Sequence, residues 1–314
     1  MWTGARLAPP NVPRASAVRC SSTRLPYKHG FHAGNAADVL KHTVLILLLQ
    51  HMQLKEKPYI FCDTHAGAGM YDLLAEESAH LKEHDRGINL LRRSVTNNEQ
   101  PDAVNVLLSI CDDYDGYPGS PLIANALSRP GDSMFVCERA EDQHARLVES
   151  LARRGGLKND PRITALCADG YKALTDRRSC PQAGKTRALV LVDPPYQYGS
   201  DTEQIVRLVQ HLSTHWRSAR VAIWYPVTRD TAKVERLHSA VRDASPFECF
   251  AVELLYDASG EDDDATTAKR GSMLGSGMLL VQPPFGIETI LEEELLPALG
   301  DALGQRARIH RLDA

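Results

Sequence analysis

The sequence has little with which to hold a metal or cross a membrane. Its seven cysteines, Cys20, Cys62, Cys111, Cys137, Cys167, Cys180 and Cys249, form no CxxC pair and no zinc-spaced cluster with histidine. A structural metal is therefore not expected, and a reducing compartment is. No apolar run exceeds Val44–Leu49, far short of the roughly 20 residues that span a bilayer as a helix. There is no Gly-x-Gly-x-x-Gly, no Walker lysine and no Gly-x-Ser-x-Gly elbow, which disfavours a standard nicotinamide site, ATP hydrolysis and acyl transfer. Strong charge of one sign is also missing: the formal net charge is -4, which argues against non-specific coating of nucleic acid but leaves a local basic groove open. No acid precedes Asp38, and residues 1–26 hold four arginines and four prolines. That composition occurs in organelle transit peptides; the expectation here is a disordered N-terminal extension.

What is present fits a folded domain. With 43% apolar and 24% charged residues, 314 residues can bury one sizeable core with a small subdomain attached. Helical patterning covers 36–54, and a short strand, 58–63, follows. Residues 72–116 turn polar and read as an inserted helical subdomain, too long for a plain loop. Strands are expected at 133–138, 162–169, 188–192 and 220–225, the last stopped by Pro226, with helices at 140–154, 171–174, 202–216 and 231–242. Two further strands, 249–256 and 277–282, suggest an antiparallel pair at the sheet edge, and a final helix covers 287–299. Cys62, Cys137 and Cys167 lie in these apolar runs and read as small core hydrophobes. Near-continuous apolar strands alternating with amphipathic helices predict an α/β fold with a mostly parallel sheet covered on both faces.

In such a sheet, ligands sit at the carboxyl ends of the strands. "CDTHAGAGMY" places Gly67 and Gly69 directly after the first strand, where the backbone can approach a ligand closely. The next strand ends at Glu138, suited to accept hydrogen bonds from ribose hydroxyls, and also suited simply to cap the following helix. The third ends at Asp169-Gly170, where a carboxylate can meet an adenine amino group. Together these tips outline a nucleoside-bearing cofactor.

The fourth tip reads Asp193-Pro194-Pro195-Tyr196. An exocyclic amine is a poor nucleophile because its lone pair is delocalised into the ring. Asp193 can accept a hydrogen bond from that amine, a carbonyl near Pro194 can accept the other, and the carboxylate stabilises the positive charge that develops on nitrogen. The prolines fix the loop in advance, and Tyr196 offers a flat face to an extruded base.

This tip resembles motif IV of the amino-group methyltransferases that use S-adenosylmethionine. "YKHGFHAGNAADVLKH" (27–42), "DTHAGAG" (63–69), "YPGSPLIA" (117–124), "DPPY" and "WYPV" (224–227), in that order, resemble the RlmJ family of 23S rRNA adenine-N6 methyltransferases across residues 27–314. The resemblance implies a Rossmann-like class I methyltransferase domain (27–71 and 117–314) with a mostly parallel seven-stranded sheet, and a helical subdomain at 72–116 that helps hold RNA. It implies cofactor contacts from Lys41, His42, His65, Ser120, Glu138, Asp169 and Gly170, besides Gly67 and Gly69. Asp193 would be catalytic, supported by Pro194, Pro195 and Tyr196. Tyr27 and His29 would begin a mobile cover near the substrate, with Tyr196 also touching it. The implied product is N6-methyladenine at one specific position of 23S rRNA, made on naked or incompletely assembled RNA by a cytoplasmic enzyme acting as a monomer, without metal or membrane. Two departures stand out: the leader, and the acidic "GEDDD" in the loop after Tyr256.

His29, His32, His42 and His65 flank this site without metal spacing or a carboxylate cluster, so polar contacts to cofactor or phosphate are expected. Lys28, Lys41, Arg86, Arg92 and Arg93 form either a phosphate track or an ordinary solvated face. Trp216 and Trp224 read as core or sheet-covering residues, while Tyr225 at the fifth tip is ambiguous. Methylation of DNA adenine and a non-catalytic RNA-binding or ribosome-assembly role remain as competitors; the intact Asp193, Tyr196 and glycine turn weigh against the second.

Overall fold

The computed structural model describes residues 32–75, 82–95, 100–153, 160–180, 182–196, 199–256 and 273–312. Helix α1 (Ala36–Gln53) starts at Asn35, whose side chain accepts the Asp38 N–H. It is buried almost all round, including Asp38, Lys41 and His42, because other elements cover it on every side. Strand β1 (Tyr59–Asp63) follows, wholly buried. A short ladder of β2 (Met70–Tyr71) and β3 (Tyr117–Pro118) brackets α2 (Ile88–Ser94) and α3 (Asp102–Asp112). Leu91, Val104 and Leu107 of these helices lie in the same apolar cluster as Leu40 and Leu45 of α1. After α4 (Ser120–Leu127) come β4 (Ser133–Glu138), α5 (Glu141–Arg153), β5 (Ile163–Cys167), α6 (Gly170–Thr175), β6 (Arg187–Val192), α7 (Asp201–His215), β7 (Ala219–Thr228) and α8 (Thr231–Ala244). Strands β8 (Cys249–Tyr256) and β9 (Met273–Val281) precede α9 (Ile287–Ile290), a π-helical turn, α10 (Leu296–Leu303) and β10 (Gln305–Leu312).

The sheet order is β10-β8-β9-β7-β6-β1-β4-β5. Neighbours from β5 to β7 run parallel, whereas the β7–β9, β9–β8 and β8–β10 pairs are antiparallel. The expected seven strands are thus corrected, among the described residues, to eight in a mixed sheet, with four parallel and three antiparallel pairings. Strands β8 and β9 do pair antiparallel, but β10 forms the edge beyond them. "QRARIHRL" hid this strand because an edge needs few apolar residues, and its charges discourage further strand pairing. Pro226 does not stop β7. Pairing with β6 ends at Ile223, so Pro226 has only β9 beside it and its missing N–H breaks no bond to β6.

Two apolar clusters fill the two faces. Tyr59, Phe61, Leu189 and Leu191 point toward α1, while Ile60, Cys62, Val190 and Val192 point toward α7 and α8. Cys62 and Cys137 are buried as expected, but Cys167 is exposed because β5 is the other sheet edge.

Candidate active site

The carboxyl ends of β1, β4, β5 and β6 converge. At the tip of β1, the Thr64 N–H and hydroxyl both donate to the Leu191 carbonyl, each at 3.1 Å, tying this tip to that of β6. Thr64 Oγ1 also lies 2.8 Å from Nδ1 of His65, within hydrogen-bond distance. Burial lowers the His65 pKa to about 4 against the pull of Asp193 and Asp169, so the ring is neutral at pH 7. Asp63 accepts the His65 N–H at 3.0 Å and the Ser120 hydroxyl at 2.7 Å. Burial pushes its pKa up to about 7; the Ser120 and His65 hydrogen bonds and the Lys41 charge oppose that rise, while Asp193 adds to it. Asp63 heads the glycine-turn motif but was not among the expected site residues. Its signal in the sequence is an acid closing an otherwise apolar strand.

Gly67 and Gly69 have φ of +61° and +76°. A Cβ on Gly67 would stand 2.1 Å from the Tyr71 hydroxyl, which accepts the Ala68 N–H at 3.1 Å, so Tyr71 packs against this turn only where it carries glycine. Glu138 accepts the Gly67 N–H at 2.9 Å and the Ala140 N–H at 2.7 Å, joining the turn to the start of the next helix. Burial raises its pKa, and these backbone bonds restrain the rise. Asp169 caps α6 by accepting the Lys172 N–H at 3.2 Å. Gly170 has a packing reason of its own: a Cβ there would lie 2.3 Å from the Thr64 carbonyl. Beside it, the Tyr171 ring meets His65 edge-on at 5.0 Å, and its buried hydroxyl has no hydrogen-bond partner among the described residues.

Asp193 follows β6 and is mostly buried, with 17% of its side chain exposed. Lys41 Nζ reaches its Oδ2 at 2.6 Å and Asp38 Oδ1 at 2.7 Å. Burial by itself would lower the Lys41 pKa; the two carboxylates outweigh it and hold the ammonium well above its ordinary value. Pro194 is buried and Pro195 half-buried. Tyr196 has φ of +51°, a left-handed conformation uncommon outside glycine, and its hydroxyl donates to the Trp224 carbonyl at 2.9 Å. The Trp224 ring is 6.0 Å from that of Tyr196, so this half-buried tryptophan borders the site rather than only covering the sheet. Tyr225 points the other way, donating to buried Glu253 at 3.0 Å. His42 lies one residue from Lys41, buried and hydrogen-bonded to the Tyr117 hydroxyl at 2.7 Å.

Thus Lys41, Asp63, His65, Ser120, Asp169, Gly170 and Asp193 are brought together, with Gly67, Gly69 and Glu138 along the same rim. His32 is instead engaged by Glu83 at 2.9 Å, and Arg92 by Asp112 at 2.8 Å, which favours a solvated face for Arg92. Tyr27, Lys28 and His29 lie outside the described residues. Among the described residues, no group of three or more His, Cys, Asp or Glu could hold a metal, and no helix is long and apolar enough to cross a membrane.

The unpartnered Tyr171 hydroxyl and the acids at successive strand tips suit a nucleoside-bearing, cationic cofactor. The family profile described as "Ribosomal RNA large subunit methyltransferase D, RlmJ" matches residues 56–312. The ribosomal RNA large subunit methyltransferase J of Haemophilus influenzae is 32% identical over 286 residues, covering 89% of this chain and 94% of the relative. Its namesake in Escherichia coli K12 is 32% identical over 270 residues, covering 84% and 89%. A crystal structure of a Legionella pneumophila protein shares the fold, with a TM-score of 0.75 at 24% identity over 89% of this chain and 98% of that one. The chain belongs to the RlmJ family, the S-adenosylmethionine-dependent methyltransferases of adenine in 23S rRNA.

Proposed function

We propose that this enzyme methylates N6 of one specific adenine of 23S rRNA, on naked or incompletely assembled RNA, with Asp193 as the catalytic residue. The observation that carries this reading is Asp193 itself: one carboxylate oxygen is engaged by Lys41, in a loop stiffened by Pro194 and Pro195. Its other oxygen accepts one N6–H, and the Pro194 carbonyl accepts the second, drawing the nitrogen toward tetrahedral geometry. S-adenosylmethionine supplies the electrophilic methyl group on its sulfonium. With that methyl group offered to N6, the Asp193 carboxylate would stabilise the positive charge developing on the nitrogen, whose proton would pass to solvent water. Tyr196, held by its bond to Trp224, stacks the extruded base.

In the same reading, Gly67, Gly69, Glu138 and Asp169 hold the nucleoside. Lys41, His42, His65, Ser120 and Gly170 shape the cofactor site, and neutral His65 adds no charge to repel the sulfonium. Tyr27 and His29 cover the substrate. The domain comprises 27–71 and 117–314, the helices inserted at 72–116 help hold RNA, and the enzyme works in the cytoplasm as a monomer.

The test offers labelled S-adenosylmethionine with protein-free 23S rRNA, duplex DNA or assembled large subunits. Label on the adenine N6 of free 23S rRNA is expected. Transfer to duplex DNA but not to rRNA would overturn the substrate, and equal transfer to assembled subunits would overturn the timing.

A further inference from the structure

The ion pair at Asp193 does not end with Lys41. Asp38, on the first turn of α1, is buried at 2% exposure, and its two oxygens have separate tasks. Oδ2 accepts the Gly34 N–H at 2.9 Å, while the Asp38 N–H donates to Oδ1 of the N-cap Asn35 at 2.9 Å, so Asp38 ties the first turn to the chain that enters it. Oδ1 meets Lys41 Nζ at 2.7 Å. The cap that starts α1 therefore also fixes the ammonium that touches the catalytic carboxylate.

We propose that Asp38 is a positioning residue for methyl transfer, holding Lys41 on Oδ2 of Asp193 while keeping the three-group cluster anionic. This rests on the reading of Asp193 given above. The charges decide the matter. With Asp38 and Asp193 ionised and Lys41 protonated, the formal sum is one negative charge beside the nitrogen that becomes positive. Without Asp38, Lys41 would cancel Asp193, and a neutral pair stabilises a developing cation far less. Lys41 would also be less firmly placed, free to swing across the oxygen that N6 needs. An acid that only capped the helix would need neither Oδ1 nor burial, since such caps work at the surface.

The groups facing Lys41 are Asp38 on its own helix, Asp193 after β6, and, at longer range, Asp63 at the end of β1 and the Tyr71 hydroxyl of β2. In Asp38→Asn the side-chain oxygen still accepts the Gly34 N–H, so the cap survives, but the amide cannot accept from Lys41. Burial then acts on an ammonium with one close carboxylate instead of two, and its pKa falls. Asp38→Asn is expected to lower kcat by about 10- to 100-fold, with KM for RNA and cofactor changed less than about threefold. Its kcat should acquire an alkaline limb between about pH 8 and 10 that the parent lacks, rising as Lys41 loses the charge that cancels Asp193. Asp38→Glu should restore part of kcat and move the limb back up. NMR of the Lys41 side chain supplies a readout independent of substrate: titration within that window in Asp38→Asn, and none in the parent. Unchanged kcat, or a pH-independent loss with no Lys41 titration, overturns the proposal. If the parent methylates neither rRNA nor DNA, the reading of the site fails, and the NMR titration still judges the coupling of Asp38 to Lys41.

Discussion

The two halves of the sheet carry similar chemical groups and use them differently. On the parallel half, Asp63, Glu138, Asp169 and Asp193 stand at strand tips, where glycine turns and prolines replace regular pairing. On the antiparallel half, Glu253 lies inside β8 at 2% exposure, accepting from Tyr225 at 3.0 Å and contacting His310 Nε2 at 3.0 Å. His238 packs edge-on to Tyr225 at 5.0 Å, and burial lowers its pKa to about 4. A carboxylate, a tyrosine and two histidines would suggest a catalytic cluster on composition alone. Glu253, Tyr225 and His310 lie within paired strands and engage one another, and His238 packs onto Tyr225 and His310 from α8 through ring contacts, whereas the tips of β1, β4, β5 and β6 carry their acids where regular pairing ends. In the proposed reading, location at a strand end rather than residue type separates chemistry from structure.

The largest effect that would sharpen this contrast is on Asp193. Asp193→Ala should lower single-turnover methyl transfer by about 10³-fold, since it removes the group facing the developing charge. Retained activity would break the assignment. In the other half, Glu253→Ala should cost about 3 kcal/mol of stability in denaturant unfolding by leaving the Tyr225 hydroxyl and His310 without their partner. Transfer by the folded fraction should stay within about twofold. A large loss of kcat at unchanged stability would mean that the antiparallel half takes part in the chemistry.

A smaller, pH-dependent effect belongs to Asp63. Its pKa is raised in the folded chain to about 7 from an ordinary 3.8, so the folded state binds its proton more tightly than the unfolded one. That contribution is fully present below about pH 4 and is lost as pH rises through about 7. Asp63→Asn should flatten this part of the stability profile in the cofactor-free enzyme, measured by thermal unfolding between pH 4 and 8. An unchanged slope would mean that Asp63 is solvated.

The four strand tips proposed as the site were legible because apolar strands and their terminal acids are local features. Gly67, Gly69, Glu138, Asp169 and Asp193 could each be placed from a few neighbouring residues. Contacts between distant segments were not legible in this way. The bond from Lys41 to Asp193 spans 152 positions, and that from Tyr196 to Trp224 spans 28, with no periodicity to announce either. Lys41 entered as a cofactor neighbour by family resemblance, but its role between two carboxylates came only from the fold. Strand β10 escaped for the opposite reason: an edge strand paired on one side can be nearly as polar as a loop. The run through Pro226 depends on where β6 stops, which the local sequence of β7 does not contain.

The proposed function divides the labour: the cofactor is held at the tips of β1, β4 and β5, and chemistry takes place at the tip of β6. Calorimetric titration of S-adenosylmethionine into Glu138→Ala and Asp193→Ala tests it most directly. Glu138→Ala should weaken binding at least about tenfold through loss of its ribose hydrogen bonds, while Asp193→Ala should stay within about threefold of the parent. Unchanged affinity in Glu138→Ala, or loss of binding in Asp193→Ala, would contradict the account.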